Sequence, residues 1–155
     1  MPERKILRIC LVASAGGHLS QLLKLAECWN GYDTFCVTTK QIVKEQLQKY
    51  GNVYIVGECN RQNPFMAVRV FFRCFNVVRQ ERPDVVISTG AAPGLLMCLV
   101  AKLFGAKIVW IDSIANVEKL SLSGRLVRPL AELCLTQWED VATRYAKVEY
   151  VGAII

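Results

Sequence analysis

Short, nearly continuous apolar runs alternate along this chain with longer stretches in which apolar residues recur every three or four positions. The runs lie at about 6–13, 33–38, 53–57, 84–89, 107–111, 133–136 and 148–151, and their β-branched and aromatic content marks them as strands. Between them, 18–29, 40–50, 63–81, 93–104, 121–132 and 138–145 carry helical spacing. Strands this apolar leave no face for water, so they imply a parallel sheet with helices on both sides. The pattern predicts a doubly wound α/β domain with a mainly parallel sheet of about seven strands. Neither an internal repeat nor a linker interrupts residues 1–155, which read as a single Rossmann-like domain.

In such a sheet, ligands bind beyond the carboxyl ends of the strands, where loops lead into helices. Three of these loops carry unusual residues. In "SAGGHLS", Gly16 and Gly17 permit close approach to the backbone, and a helix starting near His18 offers unpaired amides and the positive end of its dipole. An anion site is expected there, with Ser14 beside it. "STGAAPG", 88–94, brings Ser88, Thr89, Gly90 and Gly94 to the end of the fourth strand, with Pro93 suited to a first helical turn. "IDSIANVEKLSLSG", 111–124, releases Asp112 and Ser113 from a buried strand into a long loop. His18 is the only histidine in the chain, and its place after a glycine pair makes it a candidate for proton transfer or ligand binding. The hydroxyls of Ser14, Ser88 and Thr89 can equally well satisfy nearby backbone groups.

Composition removes several alternatives. Seven cysteines lie mostly in apolar runs, with no CxxC pair and no second histidine; they read as reduced core thiols, and neither a metal nor a cofactor is expected. A dinucleotide site would show GxGxxG and an acidic residue after the second strand, where this chain has Thr38, Thr39 and Lys40. A serine hydrolase would show a GxSxG elbow, which is absent. Nineteen Lys and Arg against thirteen Asp and Glu give a net charge of +6, which suits an anionic partner. The basic residues are scattered and match no recognition motif, so nucleic acid is not the expected one. No run reaches the roughly 20 uncharged residues of a membrane span. "MPERK" leads straight into the first strand, and the expectation is a cytoplasmic protein without a leader.

These residues carry a resemblance. "ICLVASAGGHLSQLLKL", the stretch from "RPDVVISTGAAPG" through "WIDSIANVEKL" to "LTQWED", and the closing "VEYVGAII" resemble the acceptor-side subunit of two-component glycosyltransferases. That family includes bacterial subunits of capsule and exopolysaccharide assembly, and the membrane-anchored subunit of the eukaryotic UDP-N-acetylglucosamine transferase that extends dolichol-linked chitobiose. The resemblance implies the N-terminal half of a GT-B glycosyltransferase, with the nucleotide-sugar site on a separate C-terminal-half subunit. It implies a polyprenyl-diphosphate-linked saccharide as acceptor and inverting transfer without a metal. His18 would be the base or acceptor-orienting group, with Asp112 second. The amides of Gly16 and Gly17 would hold the acceptor's diphosphate, and Ser14, Ser88, Thr89, Gly90, Gly94 and Ser113 would line its site. Two departures stand out: eukaryotic members open with a transmembrane helix, and many relatives have Glu in place of Asp112. A non-catalytic scaffold that recruits the catalytic partner to the membrane is the alternative.

The segment 61–83, "RQNPFMAVRVFFRCFNVVRQERP", has an apolar arc wider than one core-facing stripe requires. Two readings stay open. The helix is buried between the sheet and another helix or partner, or one side meets a membrane. In the second case Phe65, Phe71, Phe72 and Phe75 enter the headgroup region while Arg69 and Arg73, with Arg61, Arg79 and Arg82, meet an anionic membrane surface. The protein would then be peripheral on the inner face of the cell membrane.

Overall fold

The computed structural model describes residues 5–154, so part of the "MPERK" opening lies outside the described residues. Seven strands form one sheet: β1 Arg8–Val12, β2 Asp33–Thr38, β3 Val53–Ile55, β4 Val85–Ser88, β5 Lys107–Ile111, β6 Leu133–Thr136 and β7 Glu149–Tyr150. Every neighbouring pair is parallel. The order is β3-β2-β1-β4-β5-β6-β7, so the chain winds outward from β1 in one direction and from β4 in the other. The switch point between β1 and β4 therefore opens a crevice at their carboxyl ends. Register places Val12 beside Ser88, bringing the glycine loop and the 88–94 loop side by side.

Among the described residues, six α-helices connect the strands: α1 Gly17–Lys24, α2 Lys44–Leu47, α3 Pro64–Glu81, α4 Ala91–Leu103, α5 Leu122–Val127 and α6 Glu139–Arg144. Three are shorter than their spacing predicts, each for a local reason. The helix expected over 18–29 stops at Lys24 and continues as a 3₁₀ turn, Ala26–Trp29. The one expected over 40–50 breaks into short turns, because only Leu47 of that segment is buried and a helix without a packed stripe is marginal. The one expected over 121–132 ends at Val127, since Pro129 has no N–H with which to continue the ladder. The full expected length appears in α3, where Asn63 caps the first turn by accepting from the Met66 amide at 3.4 Å and Pro64 takes the first position.

The two faces of the sheet are unequal. One carries α3, α4, α5 and α6 over a core of Cys10, Phe35, Val86, Ile108, Trp110 and Cys134. The other carries α1 and the Leu47 turn over Ile9, Leu11 and Cys36. Among the described residues, no helix covers that second face beyond β1. Ile87, Val109, Leu133 and Leu135 are only half-buried, and they floor an open apolar depression of about 360 Å³ rimmed by Trp29, Val151 and Ile154. The expectation of helices over both faces is therefore corrected for β4 to β6.

The edge where strands begin is held by charge. Arg8 pairs with both Asp33 and the buried Glu81, and Tyr54 donates to Glu81 as well. Burial alone would raise the Glu81 pKa, but the hydrogen bonds from Tyr54 and Arg8 prevail and leave it below the usual value. Burial and the bond to Glu81 push Tyr54 up to about 12.

Candidate functional site

At the switch point His18 occupies the first turn of α1, half-buried. Its Nδ1 lies 2.9 Å from the Thr89 carbonyl oxygen. That oxygen can only accept, so Nδ1 is the donor, and the ring's other nitrogen, Nε2, is left without a partner in the described residues. The Thr89 hydroxyl returns a bond of 2.6 Å to the His18 carbonyl, so two reciprocal bonds fix α1 to the β4 end. Gly90 completes the seat. With φ +129°, it has a backbone few L residues adopt, and a Cβ there would stand 2.8 Å from the imidazole ring.

Gly16 and Gly17 are exposed, with nothing within 4 Å of where either Cβ would be. Neither α1 nor α4 has a side-chain cap or an acidic residue in its first turn. Both helices thus begin beside the crevice with unpaired amides and positive dipole ends. Two adjoining depressions lie over them. One, about 470 Å³, is lined by His18, Arg61, Ser113, Asn116 and Ser123; the other, about 390 Å³, by Ser14, Glu58, Asn63 and Met66. They share Cys59, Asn60 and Ala91, and so form one polar trough.

Asp112 lies at the end of β5 but belongs to a different structure. Its side chain is buried at 1% exposure. One carboxylate oxygen accepts from Trp110 Nε1 at 3.1 Å and Ser121 Oγ at 2.6 Å, the other from the Ser121 amide at 2.8 Å. Gly124 packs so closely that a Cβ would come within 2.9 Å of the carboxylate. Held by three donors and almost wholly buried, Asp112, the second candidate base of the sequence, clamps the 113–121 loop. Ser88 and Gly94 do not line the trough either. Both are fully buried, Ser88 Oγ accepts from the Gly90 amide at 3.3 Å, and Gly94 gives the space that Ser88 fills. Thr89 is also buried, bonded to His18 through both its hydroxyl and its carbonyl. Ser14, His18 and Ser113 line the trough, while Gly16 and Gly17, exposed just before His18, do not.

A profile of the family described as "Oligosaccharide biosynthesis protein Alg14 like" matches residues 9–154. The chain belongs to the Alg14-like family. The UDP-N-acetylglucosamine transferase subunit alg14 of Schizosaccharomyces pombe is 40% identical, over 90% of this chain and 80% of that protein. The corresponding human subunit, ALG14, is 26% identical, over 98% of this chain and 85% of its own length. Among solved structures, Acinetobacter baumannii MurG matches with a TM-score of 0.75 at 15% identity, and a UDP-GlcNAc 2-epimerase from Methanocaldococcus jannaschii with 0.71 at 15%. This chain spans 94% of its own length in each match but only 45% of those longer chains. The fold is that of a Rossmann-like half of a GT-B glycosyltransferase.

Three further features of the site leave no mark in the spacing of the sequence. The loop 57–63 after β3 forms a fourth wall through Glu58, Asn60 and Arg61; its run of polar residues between a strand and a helix was the available signal. Ser121 is the partner of Asp112 and the cap of α5. Gln137 is buried, donates to Gln21 at 2.9 Å and to the Asp112 carbonyl at 3.0 Å, and accepts from the Ile154 amide at 2.7 Å. It ties α1, the β5 end and the final segment into one unit.

On α3, Phe65 is 84% and Phe72 60% exposed, with Val68 and Phe75 on the same side. Arg69 is exposed beside them. Two residues of the predicted membrane face are turned elsewhere. Phe71 packs against the core, and Arg73 donates to the Val56 carbonyl at 3.1 Å. Among the described residues, no helix is long and apolar enough to cross a membrane.

Proposed function

We propose that this chain is the acceptor-binding, membrane-associating subunit of a two-component inverting glycosyltransferase. The sugar comes from a nucleotide-sugar held by a C-terminal-half partner subunit, and the acceptor is a polyprenyl-diphosphate-linked saccharide of polysaccharide or oligosaccharide biosynthesis. The observation that carries this reading is the imidazole at the switch point, with Nδ1 on the Thr89 carbonyl and the trough beside it. Nε2 takes the proton of the attacking acceptor hydroxyl as its oxygen bonds to the anomeric carbon, and the nucleoside diphosphate departs with the electron pair of the broken bond. The Thr89 carbonyl holds the ring's other N–H and steadies the imidazolium formed. The amides of Gly16 and Gly17 receive the acceptor's diphosphate, with Arg61 adding charge.

Family membership and the named role of the fission-yeast relative as a transferase subunit support the partner. The apolar depression over β4 to β6 offers a further surface on which that partner could pack. The exposed phenylalanines of α3 support peripheral attachment on the cytoplasmic side of a membrane. The test is reconstitution. Purified alone, the chain transfers no sugar from a nucleotide-sugar to a polyprenyl-diphosphate saccharide; with its partner it does, and His18→Ala abolishes that gain while the pair still co-purifies. Turnover by the isolated monomer, or a fully active His18→Ala complex, overturns the proposal.

A further inference from the structure

The edge of the sheet where strands begin, opposite the crevice, holds a second depression of about 450 Å³ lined by Lys5, Arg82, Asp84, Phe104 and Lys107. Asp84 is already committed, accepting from Lys5 at 2.8 Å and from the Arg8 amide at 3.0 Å. The bond from the Arg8 amide, with that from Lys5, keeps its carboxyl below the usual range. Lys5 and Asp84 therefore cancel. Arg82 and Lys107 have no ion pair or side-chain hydrogen bond among the described residues, which leaves two positive charges facing one hollow.

This hollow joins the apolar face of α3. Phe104 forms its wall and packs edge to face on Phe75, with ring centroids 5.5 Å apart. Leu103, beside it, is 78% exposed. Exposed apolar side chains thus extend from Phe65 at the crevice to Phe75, ten residues or roughly 15 Å along the helix, and through Phe104 to the two cations. A helix lying in a membrane interface has this arrangement, with its apolar side at the acyl boundary and its cations at phosphate level.

Arg82 adds a backbone observation. It ends α3 in the left-handed conformation, φ 46° and ψ 62°, its amide bonded to the Val78 carbonyl, a position where glycine or asparagine is the usual residue. The chain carries a guanidinium where the backbone would be better served by no side chain.

We propose that Arg82 and Lys107 form a binding pocket for the phosphate of an anionic phospholipid headgroup, separate from the acceptor trough. The inference rests on the membrane reading of α3. A soluble phosphate would have no use for the adjoining phenylalanines, and this is what favours the lipid.

Co-sedimentation of the full chain with vesicles tests it, comparing phosphatidylcholine alone with phosphatidylcholine containing phosphatidylserine. Arg82→Gly combined with Lys107→Gln is expected to lower partitioning onto the anionic vesicles roughly 10- to 30-fold, to leave the weak binding to neutral vesicles unchanged, and to melt no lower than the wild type because the left-handed strain is relieved. Phe72→Ser is expected to lower binding to both vesicles. If the double variant keeps wild-type partitioning while Phe72→Ser loses it, the pocket falls and the membrane reading stands. If the wild type binds neither vesicle, the membrane reading itself falls and takes the pocket with it. If inorganic phosphate erases the difference between wild type and double variant, the pocket belongs to a soluble anion instead.

Discussion

His18 and Asp112 follow two strands of the same sheet, one after β1 and the other directly after β5, and each is the polar residue its loop offers to the crevice. Their surroundings are opposite. His18 has one ring nitrogen fixed on a carbonyl and the other directed away from it, in a half-open trough. Asp112 is 1% exposed and receives three hydrogen bonds. A group that must accept a proton needs an uncommitted lone pair within reach of substrate. A group that must hold a loop needs the reverse. Position along the strand does not separate these roles; the count of donors around each group does.

The comparison predicts that one residue fails in turnover and the other in stability. The largest effect is expected at His18. As general base in the assembled enzyme, His18→Ala should lower turnover roughly 100- to 10,000-fold, with the thermal midpoint of the subunit nearly unchanged. A loss under threefold would make the histidine structural and erase the contrast. Asp112→Ala should do the opposite. It strands the Trp110 indole N–H and the Ser121 amide in the interior, at a cost of about 3 kcal/mol, which lowers the midpoint by roughly 10 °C in a domain of this size. Any activity lost should follow the folded fraction, measured by circular dichroism on the same samples. A variant that folds normally but does not turn over would return Asp112 to the chemistry.

The fold was legible because parallel strands covered by helices leave a strong mark. All seven strands match apolar runs, with β3 ending at Ile55, short of the expected 57, where the turn at Gly57 (φ +89°) follows. What the sequence concealed is contact made at a distance. Thr89 and His18 are 71 positions apart, and Gln137 and Gln21 are 116 apart; nothing in local spacing announces either pair. The bare face over β4 to β6 was hidden for a related reason. Ile87, Val109 and Leu135 are apolar whether a helix from this chain or a surface of another protein covers them. Spacing alone does not tell whether Ser88 and Gly94 face a ligand, because a small residue at a strand end suits a ligand and a tight internal contact equally well.

Acid separates the stability term from the catalytic one. Glu81, Asp84 and Glu132 have folded pKa values below their ordinary ones, and none of them lines the trough. A depressed folded pKa means that the unfolded chain takes up protons first. Their stabilising contribution is therefore complete above about pH 4.5 and is lost as pH falls through the folded values. Urea midpoints should be flat in this respect from neutral pH down to about 5 and then decline, and Glu81→Gln should flatten part of the decline. An unchanged acid limb in that variant would assign it to other groups.

The smallest effect is the most discriminating. Gly90 has φ +129° and lies so close to His18 that a Cβ would stand 2.8 Å from the ring atoms. Gly90→Ala must therefore strain the backbone, at about 1–3 kcal/mol, and push the imidazole off the Thr89 carbonyl. With the ring misplaced, turnover of the assembled enzyme should fall roughly 10-fold. That loss alone does not distinguish a displaced base from a general distortion of the crevice, so the decisive measurement is the double variant. If Gly90 matters only through the position of His18, then Gly90→Ala in a His18→Ala background removes nothing further, and the two effects are far from additive. If the 10-fold loss persists without the histidine, Gly90 serves the ligand directly and the reciprocal lock between α1 and the β4 end is not what prepares the base.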